Sequence, residues 1–177
     1  MQFVTSILLP ILLPIISAGG VLWMAIIFLK KNTEKDILAS QAALKKERQK
    51  HFLPMRVDAY QRSALLMERI HPNSLIMRLH NPGLPAMKFQ AELLQAIRDE
   101  YNHNVSQQLF VSPQAWEMVK NSKEETIKII NLAGQHMQAT SLSTDLAAKV
   151  FEIVAEVGKL PTEITVEYLR KELQELF

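Results

Sequence analysis

Two carboxylate–imidazole pairs share one spacing in this chain: "EYNHN" sets Glu100 three residues before His103, and "ERIH" sets Glu68 three residues before His71. On a helix, positions i and i+3 lie on one face, so each pair can aim an oxygen and a nitrogen ligand at a common point. Two Glu-x-x-His pairs form half of the ligand set of a dinuclear carboxylate centre in a four-helix bundle; one Glu from each of two further helices completes it. Those further carboxylates are hard to find. Glu92 shares a helix with Glu100 but stands more than two turns away, and Glu47 falls in a basic stretch. His71 also precedes Pro72, a position biased away from helical geometry. A metal centre on Glu68, His71, Glu100 and His103 is therefore the alternative reading, and the leading one has no metal or other cofactor.

Other chemistries have less material. There is no Gly-x-Ser-x-Gly and no His-Glu-x-x-His, and five glycines in 177 residues leave little for a phosphate-cradling loop. The absence of cysteine excludes disulfides, thiolate metal sites and a cysteine nucleophile. Arg56, Arg62 and Arg69, interspersed with Asp58 and Glu68, read as surface or inter-helix ion pairs, and Tyr101, Phe110 and Trp116 as core aromatics. No catalytic activity is expected. "HNVSQQLF" is more unusual, since His103, Asn104, Gln107 and Gln108 run into Phe110, a polar and apolar mixture suited to helix-end capping or to docking another protein.

The elements that must position these residues begin with an apolar run. Residues Ile7–Leu29, "ILLPILLPIISAGGVLWMAIIFL", hold no charged side chain, and at about 1.5 Å per residue they reach roughly 34 Å, enough to cross a hydrocarbon core of about 30 Å. No Lys or Arg precedes them, whereas Lys30, Lys31, Lys35, Lys45, Lys46, Arg48 and Lys50 follow, so the positive-inside rule predicts a single-pass anchor of a bacterial inner membrane, with residues 1–6 outside and residues 53–177 in the cytoplasm. Pro10 and Pro14 predict a kink near the outer end, and Ser17–Gly20 offers a small-residue patch.

Residues 30–52 read as a basic juxtamembrane helix whose lysines and Arg48 could meet anionic lipid headgroups. Seven Lys/Arg against Glu34, Asp36 and Glu47 give that stretch +4 of the chain's net +2 and leave the rest near −2. The remainder has no basic stripe, so nucleic acid is excluded as a partner. The partners expected are membrane lipid and another membrane or cytoplasmic protein; a homo-oligomer is compatible with the same surfaces.

Beyond residue 52 the periodicity predicts an all-α fold: an N-terminal transmembrane helix followed by a cytoplasmic bundle of about five helices. Pro54 suits a first helical position, and Leu53, Val57, Tyr60, Ala64, Met67 and Ile70 then mark one apolar face up to Pro72. "NSLIMRLHNPGLP" predicts a connector with one short helical turn. Further helices are expected from Ala86 to Gln107, from Pro113 behind a Ser112 cap to Gln138, over residues 144–158 with Gly158 as the stop, and through "TEITVEYLRKELQEL" with a Thr cap.

Two blocks resemble a known family. Arg56-Val-Asp-Ala-Tyr-Gln-Arg62, running into Leu66, Glu68-Arg-Ile70 and Pro72, and Glu100-Tyr-Asn-His-Asn-Val-Ser-Gln-Gln-Leu-Phe-Val-Ser112 with Trp116, are similar to the paired signatures of an uncharacterised family of short membrane-anchored proteins of Bacteroidota. The resemblance spans the anchor and most of the region after it. It implies an address and a helical architecture and brings no activity. The chain departs from that pattern at Gln61, where Glu is usual, and at His71, where Asn is common; an Asn there removes the imidazole from the first Glu-x-x-His pair.

Overall fold

The computed structural model describes the backbone of residues 9–176 and, from residue 20 on, the side chains except those of Val21 and Ala25. Its order is α1 (Leu9–Ile70), α2 (Pro72–Leu79), α3 (Ala86–Asn104), a 3-10 turn (Val105–Leu109), α4 (Pro113–Gln135), α5 (Ser143–Val157) and α6 (Pro161–Gln174). Among the described residues there is no strand; Pro85 and Leu142 form an isolated antiparallel bridge. The chain divides into two compact units, one ending at Phe52 and one beginning at Leu53.

In the first unit every described side chain from Gly20 to Phe52 is exposed. The apolar ones are no exception, from Ile27 at 49% to Met24 at 72%. The predicted span Ile7–Leu29 lies largely outside the residues whose side chains are described, and residues 1–6 lie outside the described chain altogether. Among the described residues no helix is long and apolar enough to cross a membrane.

The start expected at Pro54 is corrected: α1 runs through that residue without a break. Proline is tolerated inside a helix when its missing donor costs less than ending the helix would, and here the carbonyl one turn back, on exposed Lys50, is open to water.

In the second unit α4 is the central helix, packed against α3, α5 and α6, while α2 lies on α3 and α5. The core joins Tyr60, Leu66, Met67 and Ile70 of α1 to Leu75 and Ile76, Phe89, Leu93 and Ile97, Trp116, Val119 and Ile130, Leu146 and Val150, and Leu169. Burying a Leu, Ile or Phe side chain contributes about 1.5–3 kcal/mol each. A small polar seam runs through it. Ser122 and Thr165 share a buried 2.8 Å hydrogen bond between α4 and α6, which lets two backbones approach where a larger residue would hold them apart.

Helix starts are chemically explicit. Pro72, Pro113 and Pro161 each occupy a first-turn position, where the missing donor is one of the helix's unpaired N–H groups. Ser112 Oγ accepts from Ala115 N at 3.0 Å, as its cap position predicts. The stop at Gly158 is also as expected, with φ +75°.

Three expectations are corrected. The connector's single turn is an eight-residue helix, α2, because Leu75, Ile76 and Leu79 share a face that the core covers. The helix from Ala86 ends at Asn104, and Gln107 lies in the tighter 3-10 turn. The Thr cap of the last helix is displaced: Leu160 holds the cap position, Glu163 Oε2 accepts from its N–H at 3.0 Å, and the buried Thr162 hydroxyl has no hydrogen-bond partner among the described residues. The reach of Glu163 back to the cap backbone does the work expected of a cap side chain.

Candidate functional site

Arg69 on α1, Arg78 on α2 and Glu100 on α3 form one cluster. Glu100 Oε1 accepts from Arg69 Nε at 2.7 Å and Nη2 at 2.5 Å, and from Arg78 Nη1 at 3.3 Å. Arg78 Nη2 also donates to the Arg69 carbonyl at 3.2 Å, so the end of α1 is tied to α2 as well as to α3. The Glu100 side chain is 15% exposed. The hydrogen bond from Arg69 is the main reason its carboxyl ionises below the usual carboxylate range, and the charge of Arg78 adds to it.

The cluster borders a groove of about 750 Å³ between α1 and the end of α3. Asp58, Gln61, Arg62, Leu65 and Arg69 line one wall; Asp99, Glu100, His103 and Asn104 line the other. Arg62 Nε pairs with Asp58 at 2.7 Å, both more than half-exposed or nearly so, and such a pair contributes little to stability, about 0–1 kcal/mol. Leu65 is 58% exposed in this polar setting.

A second cluster ties α1 to the other end of the bundle. The Glu172 carboxylate on α6 accepts from Tyr60 Oη, Ser112 Oγ and Tyr168 Oη, each at 2.8 Å. Tyr60 Oη in turn accepts from Ser112 N at 3.3 Å, and Arg56 Nε donates to the Phe110 carbonyl at 3.4 Å. Burial first, and the Glu172 carboxylate second, push the Tyr60 hydroxyl above its ordinary ionisation range. Neither Glu172 nor Tyr168 stood out in the sequence. Tyr60, on the apolar face of its helix, and the Ser-Pro helix start at residue 112 are the members of this cluster that the sequence marks.

The structure does not gather the four residues of the metal reading. Glu68 is exposed, Glu100 is held by two guanidiniums, and His103 lies exposed on the groove wall. His71 caps α2, its Nδ1 accepting from Asn73 N at 3.3 Å, with Nε2 3.6 Å from Glu163. Among the described residues no group of three or more His, Asp or Glu side chains is placed to hold a metal ion. An Asn at position 71 would fill the same cap role, since both side chains offer an acceptor two bonds from Cβ. We expect His71→Asn to keep the unfolding free energy of the wild type while His71→Ala loses about 1 kcal/mol, both read by chemical denaturation.

The five residues marked for recognition divide. Asn104 is buried and structural, its Nδ2 donating to the Glu100 carbonyl at 2.9 Å. Phe110 is half-buried against the core, and the Gln107 carbonyl accepts from Phe110 N and Val111 N at 3.0 and 3.3 Å. His103 and Gln108 face outward, joined by Leu109 at 76% exposure, an apolar residue that spacing alone assigns to the core. Lys30, Lys31, Lys35, Lys45, Lys46 and Arg48 are all exposed on α1. Among the aromatics, Tyr101 and Trp116 stack with centroids 5.6 Å apart, and Lys123 Nζ sits 4.4 Å over the Tyr101 ring.

The fold and its clusters define an all-helical domain in which the two blocks carrying the family resemblance meet: Arg69 finds Glu100, and Tyr60 finds Ser112. The chain belongs to the family of unknown function DUF7935, which matches residues 6–176. No curated protein and no solved structure matches the chain.

Proposed function

We propose that the chain is a membrane-tethered interaction protein with no catalytic activity, an accessory or scaffold subunit of a bacterial envelope assembly. Ile7–Leu29 would be the anchor in the inner membrane, residues 1–6 would lie outside, and the domain from Leu53 would dock a cytoplasmic or membrane partner. The observation that carries this reading is the exposed apolar run Leu22, Trp23, Met24 and Ile26–Leu29, bounded at once by exposed Lys30 and Lys31. A helix apolar on every side is a poor companion for water and a good one for lipid. The groove wall around His103 and the exposed Gln108–Leu109 tip supply a surface of the kind a partner protein would use.

The topology has a direct test. In sealed, right-side-out membrane vesicles, added protease should leave the domain after Leu53 intact, and permeabilisation should expose it. Alkaline carbonate should leave the full chain in the membrane pellet; release into the supernatant would end the anchor reading.

A further inference from the structure

His71 supplies both acceptors that start α2. Its carbonyl accepts from Leu75 N at 2.9 Å, and its Nδ1 accepts from Asn73 N at 3.3 Å. Pro72 has no N–H and Ser74 is exposed, so Asn73 N is the first-turn donor whose partner is a titratable side chain. An accepting Nδ1 carries no proton, which puts the hydrogen of the neutral imidazole on Nε2, 3.6 Å from Glu163 Oε1. The other oxygen of that carboxylate, Oε2, accepts from Leu160 N at 3.0 Å and so caps α6. One imidazole thus stands between the starts of two helices.

We infer that His71 is a proton-operated cap: neutral, it holds the first turn of α2; protonated, it releases that turn and pairs with Glu163 instead. Histidine is the side chain whose charge ordinarily changes between about pH 5 and 8. A proton on Nδ1 turns the acceptor into a donor, so two N–H groups would face each other across 3.3 Å. The new positive charge also falls at the N-terminal, positive end of the α2 dipole. Both effects act against α2. Glu163 acts the other way, since the imidazolium gains an ion pair with a carboxylate that the Leu160 N–H already positions. The cap's contribution is therefore present while His71 is neutral and is lost as pH falls through its titration, and the ion pair appears over the same range. Because the two offset, acid changes which helix start is held more than it changes the stability of the domain.

The surrounding charges leave this exchange to Glu163, the charged group within ion-pair distance of His71 among the described residues. Glu68, one turn back on α1, is exposed; Arg78 on α2 is taken up by Glu100 and the Arg69 carbonyl; Lys159, between α5 and α6, pairs with Glu167. His80 stands at the far end of α2, edge-on to Phe89. A helix of eight residues is too short to persist on propensity alone. Leu75 and Ile76 hold it to the core, which leaves the turn before them free to respond. That turn borders a groove: Asn73 and Met77 face Phe151, Val154, Ala155 and Gly158 across about 640 Å³, so protonation of His71 loosens one wall of it. Every group involved lies in the unit beginning at Leu53, and the inference does not rest on the anchor.

The test uses the full chain in detergent micelles, isotope-labelled at asparagine amides and histidine rings and followed by NMR from about pH 8 to pH 5. The protection of the Asn73 amide proton against exchange, corrected for the intrinsic pH dependence, should fall about fivefold in acid, with the midpoint of the His71 ring. In His71→Asn the protection should stay level, because the amide oxygen accepts at every pH. Glu163→Gln should move the His71 midpoint to lower pH, since it removes the ion pair while Gln still serves Leu160, and the Asn73 response should move with it. Protection that stays level through the His71 titration, or that falls equally in His71→Asn, would overturn the inference. An unmoved midpoint in Glu163→Gln would overturn the exchange with α6.

Discussion

Replacing Glu172 by Ala should lower the unfolding free energy of the domain by about 2–3 kcal/mol, because it strands three hydroxyl donors at once. The Tyr60, Ser112 and Tyr168 hydroxyls all converge on this carboxylate, and Tyr60 is only 2% exposed, so water does not replace the lost acceptor for it. The cluster is also the place where α1, the start of α4 and α6 are held together. Tyr60→Phe removes one donor to Glu172 and the acceptor of the Ser112 N–H, so it should cost about 1–2 kcal/mol, and Tyr168→Phe less, since it removes a single hydrogen bond and Tyr168 is partly exposed. Denaturant unfolding of the three variants, followed by circular dichroism, reads the order directly. Equal losses for all three would mean that the cluster is not shared.

Glu100→Gln should cost about 1–2 kcal/mol at neutral pH, more than an exposed pair would and less than a fully buried one, since Glu100 is 15% exposed while Arg69 and Arg78 are 43% and 35% exposed. The pH dependence has a definite sign. The folded carboxyl ionises below its unfolded value, so its stabilisation is complete above the unfolded pKa, about 4.3, and is lost as pH falls through the lower folded value. The difference between wild type and Glu100→Gln should therefore be full at neutral pH and shrink in acid below that unfolded value. A difference that does not change with pH would mean that the arginines hold the Gln amide as well as the carboxylate. By contrast, His103→Ala, on an exposed side chain with no hydrogen bond among the described residues, should stay within about 0.5 kcal/mol of wild type, and a change in partner binding at unchanged stability would mark it as a recognition residue.

Much of the helical pattern was legible because its signals are local. Ser112-Pro113 announces a helix start, Gly158 a stop, and Tyr60, Met67 and Ile70 share a face that the core covers. What escaped depends on partners distant in sequence or on unusual local choices. Glu172 is 112 residues from Tyr60 and 60 from Ser112, and nothing in "LRKELQEL" singles it out from its neighbours. The start of α2 hid because its cap is a histidine, and the start of α6 because Glu163 serves the cap from inside the helix. Pro54 reads as a start by rule, but α1 is already formed on both sides of it.

The Glu-x-x-His pairs illustrate the same limit. Spacing places Glu100 and His103 on neighbouring positions of α3, yet the groups that meet Glu100 come from α1 and α2. Sequence proximity proposed a ligand pair, and the arginines Arg69 and Arg78 decided what the carboxylate does.

The proposed role as an anchored interaction subunit can be tested by crosslinking and mass spectrometry of the full-length protein in gently solubilised membranes. One neighbouring protein is expected in near-stoichiometric yield, with crosslinks on lysines of the segment Lys30–Lys50 or beside the groove of Arg62 and His103. Recovery of the chain only as a monomer, with no neighbour linked through either surface, would contradict it.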